Sequence, residues 1–181
     1  MGMHQINFPV LTVRETVQPA RIAEVRDAAI SEVTRIVAEF ELPEDDMKPF
    51  LLMCNREGVH SITPSFPEDL SLGFQEQLAM FIEQIGPMVL TQRDATCAAL
   101  ALTVWTAPRG ADSATRASDR PDRQEAVTVM LGDAHGTEET LMATVTRHRF
   151  KPPTLGEFRP LSDRVQPVVA EAFRRGVLGR G

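Results

Sequence analysis

The sequence of 181 residues is poor in cysteine, and its two cysteines, Cys54 and Cys97, are widely separated without a Cys-x-x-Cys spacing. This scarcity argues against a disulfide framework and against the common zinc-binding motifs. We expect two reduced thiols, buried in a cytoplasmic protein.

Long apolar segments are also missing from the chain. No run reaches the length of about 18 residues that a membrane-spanning helix requires. Residues 1–10 contain neither a basic start nor a continuous apolar stretch, and we therefore expect no secretory signal. The prediction is a cytoplasmic protein that does not contact membranes.

Several motifs of catalysis and cofactor binding do not occur. They are Gly-x-Gly-x-x-Gly, Gly-x-x-x-x-Gly-Lys-Ser/Thr, His-Glu-x-x-His and Gly-x-Ser-x-Gly. The acidic cluster of Glu41, Glu44, Asp45 and Asp46 lacks the spacing and the glycine of an EF-hand. We predict no catalytic residue, no cofactor and no metal.

Positive charge is scarce as well, because the formal net charge is −6. Residues 1–106 carry 7 basic and 15 acidic groups, whereas residues 107–181 carry 12 basic and 10 acidic groups. Nucleic-acid binding needs a sustained basic surface that displaces counterions from phosphates. We therefore do not expect nucleic acid as a partner.

The composition, with 43% hydrophobic and 24% charged residues, is typical of one globular domain spanning residues 1–181. Apolar residues recur at helical spacing over residues 19–40 and again over residues 70–85. Ser65 and Glu68 have the spacing of a capping box for the second helix, which Gly86-Pro87 should end. A short third helix is predicted from Pro167 to Gly176.

Strand patterns fill the remaining segments. Residues 50–54 and 59–62 indicate a hairpin in which Gly58 adopts a positive φ, although residues 50–54 could instead end a helix. Residues 98–105, 126–131 and 141–146 alternate with a period of two, which indicates an antiparallel meander. The chain from 107 to 122 is predicted to be a flexible loop.

The expected fold is therefore α+β, with an antiparallel sheet of about five strands, formed by the hairpin and the meander. Two long helices should pack on its aliphatic face, and the short C-terminal helix should follow the sheet. The other face should be semi-apolar. We expect this semi-apolar face to be covered by the C-terminal helix or by a second copy of the protein. The residues predicted for that interface are Thr103, Trp105, Thr128, Met130, Met142 and Thr144.

Arginines are concentrated near one end of the predicted meander. They could hold a small anion or a nucleotide, since guanidinium groups make bidentate hydrogen bonds. The candidates are Arg109, Arg116, Arg120, Arg123, Arg147 and Arg149. Interleaved aspartates could pair with these arginines instead. An enzyme using His135 and Asp133 with a loop arginine is less favoured. In a simple meander, the turn that contains His135 and Asp133 and the loop that contains the arginines lie at opposite ends of the sheet.

One further local pattern spans the end of one predicted strand and the start of the next. Trp105 ends a strand, and Pro121-Asp122-Arg123-Gln124-Glu125 opens the next. The segment from Ala98 to Arg147 resembles a pattern in small uncharacterised bacterial and phage proteins. The resemblance implies one local unit, in which Arg123 pairs with Glu125 or stacks on the indole of Trp105.

The sequence thus predicts a small soluble protein that acts by binding rather than by catalysis. Its expected partner is a second copy of itself or another protein.

Overall fold

The computed structural model of the chain describes residues 22–55, 58–64, 73–93, 95–107, 115, 117–133, 137–161 and 167–176. Its helices are α1 (Ile22–Ala38), α2 (Phe74–Arg93) and α3 (Pro167–Gly176), with a short 3₁₀ helix at Ala117–Asp119. The strands are β1 (Phe50–Asn55), β2 (Gly58–Ile62), β3 (Cys97–Thr106), β4 (Gln124–Asp133), β5 (Glu138–Thr146), β6 (Thr154–Leu155) and β7 (Arg159–Pro160).

The strands form one antiparallel sheet in the order β2-β1-β3-β4-β5-β6, and β7 also pairs with β5. The α+β class and the antiparallel sheet agree with the sequence prediction. The expected count of about five strands is wrong, because the sheet has seven. Strands β6 and β7 have two residues each, too few to show an alternating pattern.

The register between β3 and β4 determines how the two faces of the sheet are filled. Leu100 lies opposite Met130, and Ala101 lies opposite Val129. Residues that lie opposite each other on paired strands point to the same face of the sheet. The larger aliphatic side chains of β3 therefore share a face with Ala126, Thr128 and Met130 of β4. Both faces are therefore apolar, and neither is the solvated face of a two-layer fold.

Helices cover the two faces of the sheet separately. Helix α1 places Val25, Ala29, Val33 and Val37 on the face that contains Ala99, Ala101, Val127 and Val129. Helices α2 and α3 place Leu78, Ile82, Val169 and Phe173 on the face of Leu51, Leu100 and Leu102. The prediction that two long helices share one face is wrong, because each face carries enough apolar surface to bury a helix.

Helix α2 continues through Gly86-Pro87 to Arg93, so the predicted stop is also wrong. A proline inside a helix removes one backbone hydrogen bond and strains the preceding turn. The helix already spans three turns before Pro87, and it packs against both the sheet and α3. Tertiary contacts thus outweigh the local breaker. The predicted capping box at Ser65 and Glu68 lies outside the described residues.

Other local predictions are confirmed. Gly58 follows β1 with φ of 137°, as the predicted hairpin requires. The Asn55 side chain accepts a hydrogen bond from the Gly58 amide at 3.1 Å, which supports the turn. Helix α3 has the predicted bounds.

Among the described residues, no helix is both long enough and apolar enough to span a membrane.

Candidate functional site

Three connections meet at one end of the sheet, where β3 and β5 end and β1 and β4 begin. They are residues 39–49, the described part of 107–123, and residues 147–153. We call this region the Trp105 end. Trp105 lies there on the α1 face, because side chains alternate along β3 from Ala99 and Ala101.

The Trp105 ring is stacked with an arginine. The Arg123 guanidinium carbon lies 4.6 Å from the ring centroid. The indole is nevertheless 43% exposed. Of the two contacts that the resemblance implied for Arg123, the stacking on the indole is therefore present, and it holds the guanidinium over the ring of a partly exposed tryptophan.

Glu125 lies directly opposite Trp105 on β4 and is only 6% exposed. Arg147 neutralises it through two hydrogen bonds, from Nε to Oε2 at 2.8 Å and from Nη2 to Oε1 at 2.6 Å. This bidentate geometry offsets the cost of burying the carboxylate. The contact with Glu125 raises the pKa of Arg147 above its usual value. The pair fixes the strand residue beside the indole.

Arg147 also attaches the connection after α1 to the sheet. Its Nη1 donates to the carbonyl oxygen of Pro43 at 3.1 Å and to that of Asp45. The Asp45 carboxylate in turn accepts bonds from the amides of Glu41 and Leu42, at 2.7 and 2.8 Å. These backbone bonds lower the pKa of Asp45. One guanidinium thus positions residues 41–46 against β4 and β5.

The Trp105 end exposes three large apolar side chains. Leu42 is 52% exposed, Trp105 43% and Phe150 81%. The Arg149 guanidinium carbon lies 5.0 Å from the Phe150 ring centroid, so this aromatic ring also carries an arginine. Tryptophan and arginine are prominent among the residues that dominate protein–protein binding energies.

Four of the six arginines predicted to bind an anion are described, and all four lie at this end. Arg120 pairs with Asp122 at 2.7 Å, Arg147 pairs with Glu125, and Arg123 and Arg149 stack on aromatic rings. Arg109 and Arg116 lie outside the described residues, as does half of the loop predicted at 107–122. The four arginines thus lie at the same end of the sheet, but each contacts a different partner, and their guanidinium groups do not form a single anion-binding site among the described residues.

The six residues predicted for an interface are divided between the two faces. Thr103 and Trp105 lie on the α1 face, whereas Thr128 and Met130 are buried on the α2 and α3 face. Met142 and Thr144 of β5 also lie on the latter face. They line an open groove of about 430 Å³ beside residues 156–161. Of the six, Trp105 is the strongly exposed one.

Each of the two described histidines contacts one uncharged polar side chain. His60 Nε2 lies 3.4 Å from Asn55 Oδ1, and His148 Nε2 lies 3.0 Å from Thr154 Oγ1. His135, the acid–base candidate of the enzyme alternative, lies outside the described residues. No group of three His, Cys, Asp or Glu side chains within the described ranges could hold a metal ion.

Cys54 and Cys97 face each other across β1 and β3, and both are buried. Burial raises the pKa of Cys54 to about 12 and also raises that of Cys97. We predict that neither thiol reacts with Ellman's reagent in the folded protein at mildly alkaline pH, and that both react in urea, because the thiolate is the nucleophile.

The raised pKa of Cys54 also predicts how stability varies with pH. Between pH 9 and about 12, the thiol ionises in the unfolded chain while the folded chain stays protonated. This group therefore lowers the free energy of unfolding as pH rises through that range. A Cys54→Ala variant should lose part of the alkaline decline in urea denaturation. An unchanged decline, or rapid labelling of the folded protein, would contradict this assignment.

Comparison of the chain with protein-family models, with curated proteins and with solved structures gives no match.

The contact of Arg147 with Glu125 and the exposure of Leu42 and Phe150 were not predicted from the sequence. The pairing of β4 with β5 would have indicated this contact. Val127 pairs with Ala143, and the same register places Val145 opposite Glu125. Arg147 is two residues beyond Val145, so its side chain lies on the same face and near Glu125. The exposure of Leu42 and Phe150 had no comparable signal, because it depends on how the connections fold back.

Proposed function

We propose that this protein acts by binding rather than by catalysis, and that it associates with a second copy of itself through the Trp105 end. The observation that carries the proposal is the 43% exposed Trp105 indole with Arg123 stacked on it at 4.6 Å. An exposed, immobilised aromatic side chain loses little conformational entropy when a partner covers it.

The surroundings of Trp105 support a binding role. The ion pair between the buried Glu125 and Arg147 fixes the strand and the 41–46 connection before any partner arrives. Leu42 and Phe150 add apolar surface at the same end. Preorganised surfaces of this kind bind more tightly than surfaces that must first become ordered.

The chain offers a direct reporter, because Trp105 is its one tryptophan. We expect its fluorescence emission to shift to shorter wavelength as protein concentration rises through the dissociation constant of the dimer, since association removes water from the indole. Sedimentation velocity on the same samples should show the transition from monomer to dimer. A spectrum that stays constant across that transition would contradict the placement of the interface.

A Trp105→Ala variant should raise the dissociation constant on the order of 30-fold or more, because the residue is placed at the energetic centre of the interface. Met80→Ala is a matched control, because Met80 is 41% exposed and lies on α2. It should dimerise like the unmodified protein. Urea denaturation of both variants checks that the fold is retained.

A small-anion site at the same end is a second candidate function. It is favoured by Arg149 and Lys151, two exposed basic residues that have no ion-pair partner among the described residues. Calorimetric titration with inorganic phosphate separates the two candidates. Stoichiometric binding by a protein that remains monomeric would favour the anion site over self-association.

A further inference from the structure

Two exposed segments at the Trp105 end have opposite charge and similar construction. In the first, Glu41 and Glu44 flank Leu42, which is 52% exposed. In the second, Arg149 and Lys151 flank Phe150, which is 81% exposed. We call them the acidic segment (residues 41–44) and the basic segment (residues 149–151). Each presents an apolar side chain between like charges.

The two segments are neighbours within one chain. Arg147, two residues before the basic segment, donates to the carbonyl oxygen of Pro43 inside the acidic segment. The four charged side chains nevertheless form no ion pair with one another or with any other described residue. Their charges and their apolar surfaces thus remain available to a partner.

We propose that the protein dimerises about a two-fold axis that places the acidic segment of each chain against the basic segment of the other. In an isologous interface, a contact from one chain to its partner occurs twice, in both directions. A surface that contains both members of a complementary pair can therefore satisfy both at once. This inference rests on the proposed self-association, and it specifies which residues meet.

Apolar and electrostatic complementarity agree in this arrangement. Leu42 of one chain would pack against the partner's Phe150, and Glu41 and Glu44 would face the partner's Arg149 and the partner's Lys151. Opposite charges around an apolar centre are typical of protein interfaces, and they fix which surfaces meet. Arg149 already lies over the Phe150 ring, so its guanidinium is positioned before association.

The test is a charge exchange between two variants. One variant carries Glu41→Lys with Glu44→Lys, and the other carries Arg149→Glu with Lys151→Glu. Each should dimerise more weakly than the unmodified protein, on the order of tenfold to a hundredfold in dissociation constant, because like charges then meet at both contacts. Mixing the two variants should restore association to within about threefold, because every contact in the mixed dimer is again between opposite charges.

A variant with Glu76→Lys and Glu171→Lys serves as the control. It changes the same number of charges at exposed sites on α2 and α3, and it should dimerise like the unmodified protein. Sedimentation velocity measures the unmodified protein, the three variants and the mixture, and circular dichroism confirms that each variant is folded.

The outcomes separate this inference from the proposed function. Two weakened variants that fail to associate when mixed would overturn the pairing of the segments. Variants that dimerise normally while Trp105 still becomes buried would also overturn it and leave self-association intact. An unmodified protein that stays monomeric at every attainable concentration would overturn both.

Discussion

Replacing Arg147 with alanine should lower the free energy of unfolding by roughly 2 to 4 kcal/mol, because it leaves a buried carboxylate without its counter-charge. Glu125 is 6% exposed and receives two short hydrogen bonds from this guanidinium. The same substitution also releases the carbonyl oxygens of Pro43 and Asp45. Urea denaturation followed by circular dichroism measures the change.

Two further variants test this explanation. A double variant, Glu125→Leu with Arg147→Met, should be more stable than Arg147→Ala alone, because it leaves no buried charge unpaired. Arg159→Ala is the control, since the side chains of the Arg159–Glu157 pair are 80% and 81% exposed. It should shift the urea midpoint much less. Equal shifts for Arg159→Ala and Arg147→Ala would show that burial of Glu125 does not determine the effect.

Replacing Gly176 with alanine should destabilise the protein by roughly 1 to 3 kcal/mol, the usual cost of inserting a methyl group into a filled space. A Cβ atom at this position would lie 2.9 Å from the Ile82 carbonyl carbon and 3.0 Å from Glu83 Cα, and closer still to the Ile82 carbonyl oxygen. All three atoms belong to the backbone of α2, so no side-chain rotation relieves the contact. The substitution should therefore force α3 away from α2.

The sign of this change is informative, because alanine is the better helix former by about 1 kcal/mol. A stabilised Gly176→Ala protein would mean that α3 does not pack against α2 as described. Gly156→Ala is the matched control. Its added Cβ would lie 3.4 Å from the Thr144 carbonyl oxygen, which is ordinary van der Waals contact. We expect the urea midpoint of that variant to stay close to that of the unmodified protein.

The sequence predicted the fold best where a pattern repeats along the chain. The alternation in β3, β4 and β5 was sufficient to identify the meander, and the spacing of apolar residues identified α1 and α3. The assignment of faces failed at one point. Period-two patterns say which side chains of a strand belong together, but they do not fix the register to the next strand. Because Leu100 lies opposite Met130 and not opposite Val129, both faces became core.

The candidate site was partly predictable for the same reason. Trp105 lies at the end of β3 and Arg123 directly before β4, and their stacking was one of the two contacts that the resemblance implied for Arg123. The association of Arg147 with Pro43 joins residues that are 104 positions apart. Such a contact depends on how α1 crosses the sheet, and no local pattern records that geometry. Of the predicted interface residues, Thr128 and Met130 are buried, because α2 and α3 cover the second face. Met142 and Thr144 line the groove on the same face.

The central claim is that the Trp105 end is the surface by which this protein binds a second copy of itself. The most direct test is a series of ¹H–¹⁵N correlation spectra recorded at increasing protein concentration. The account predicts that the indole signal of Trp105 and the amide signals of residues 41–46 and 147–151 change together, while those of α3 do not. Spectra that do not depend on concentration, or changes confined to α2 and α3, would contradict it.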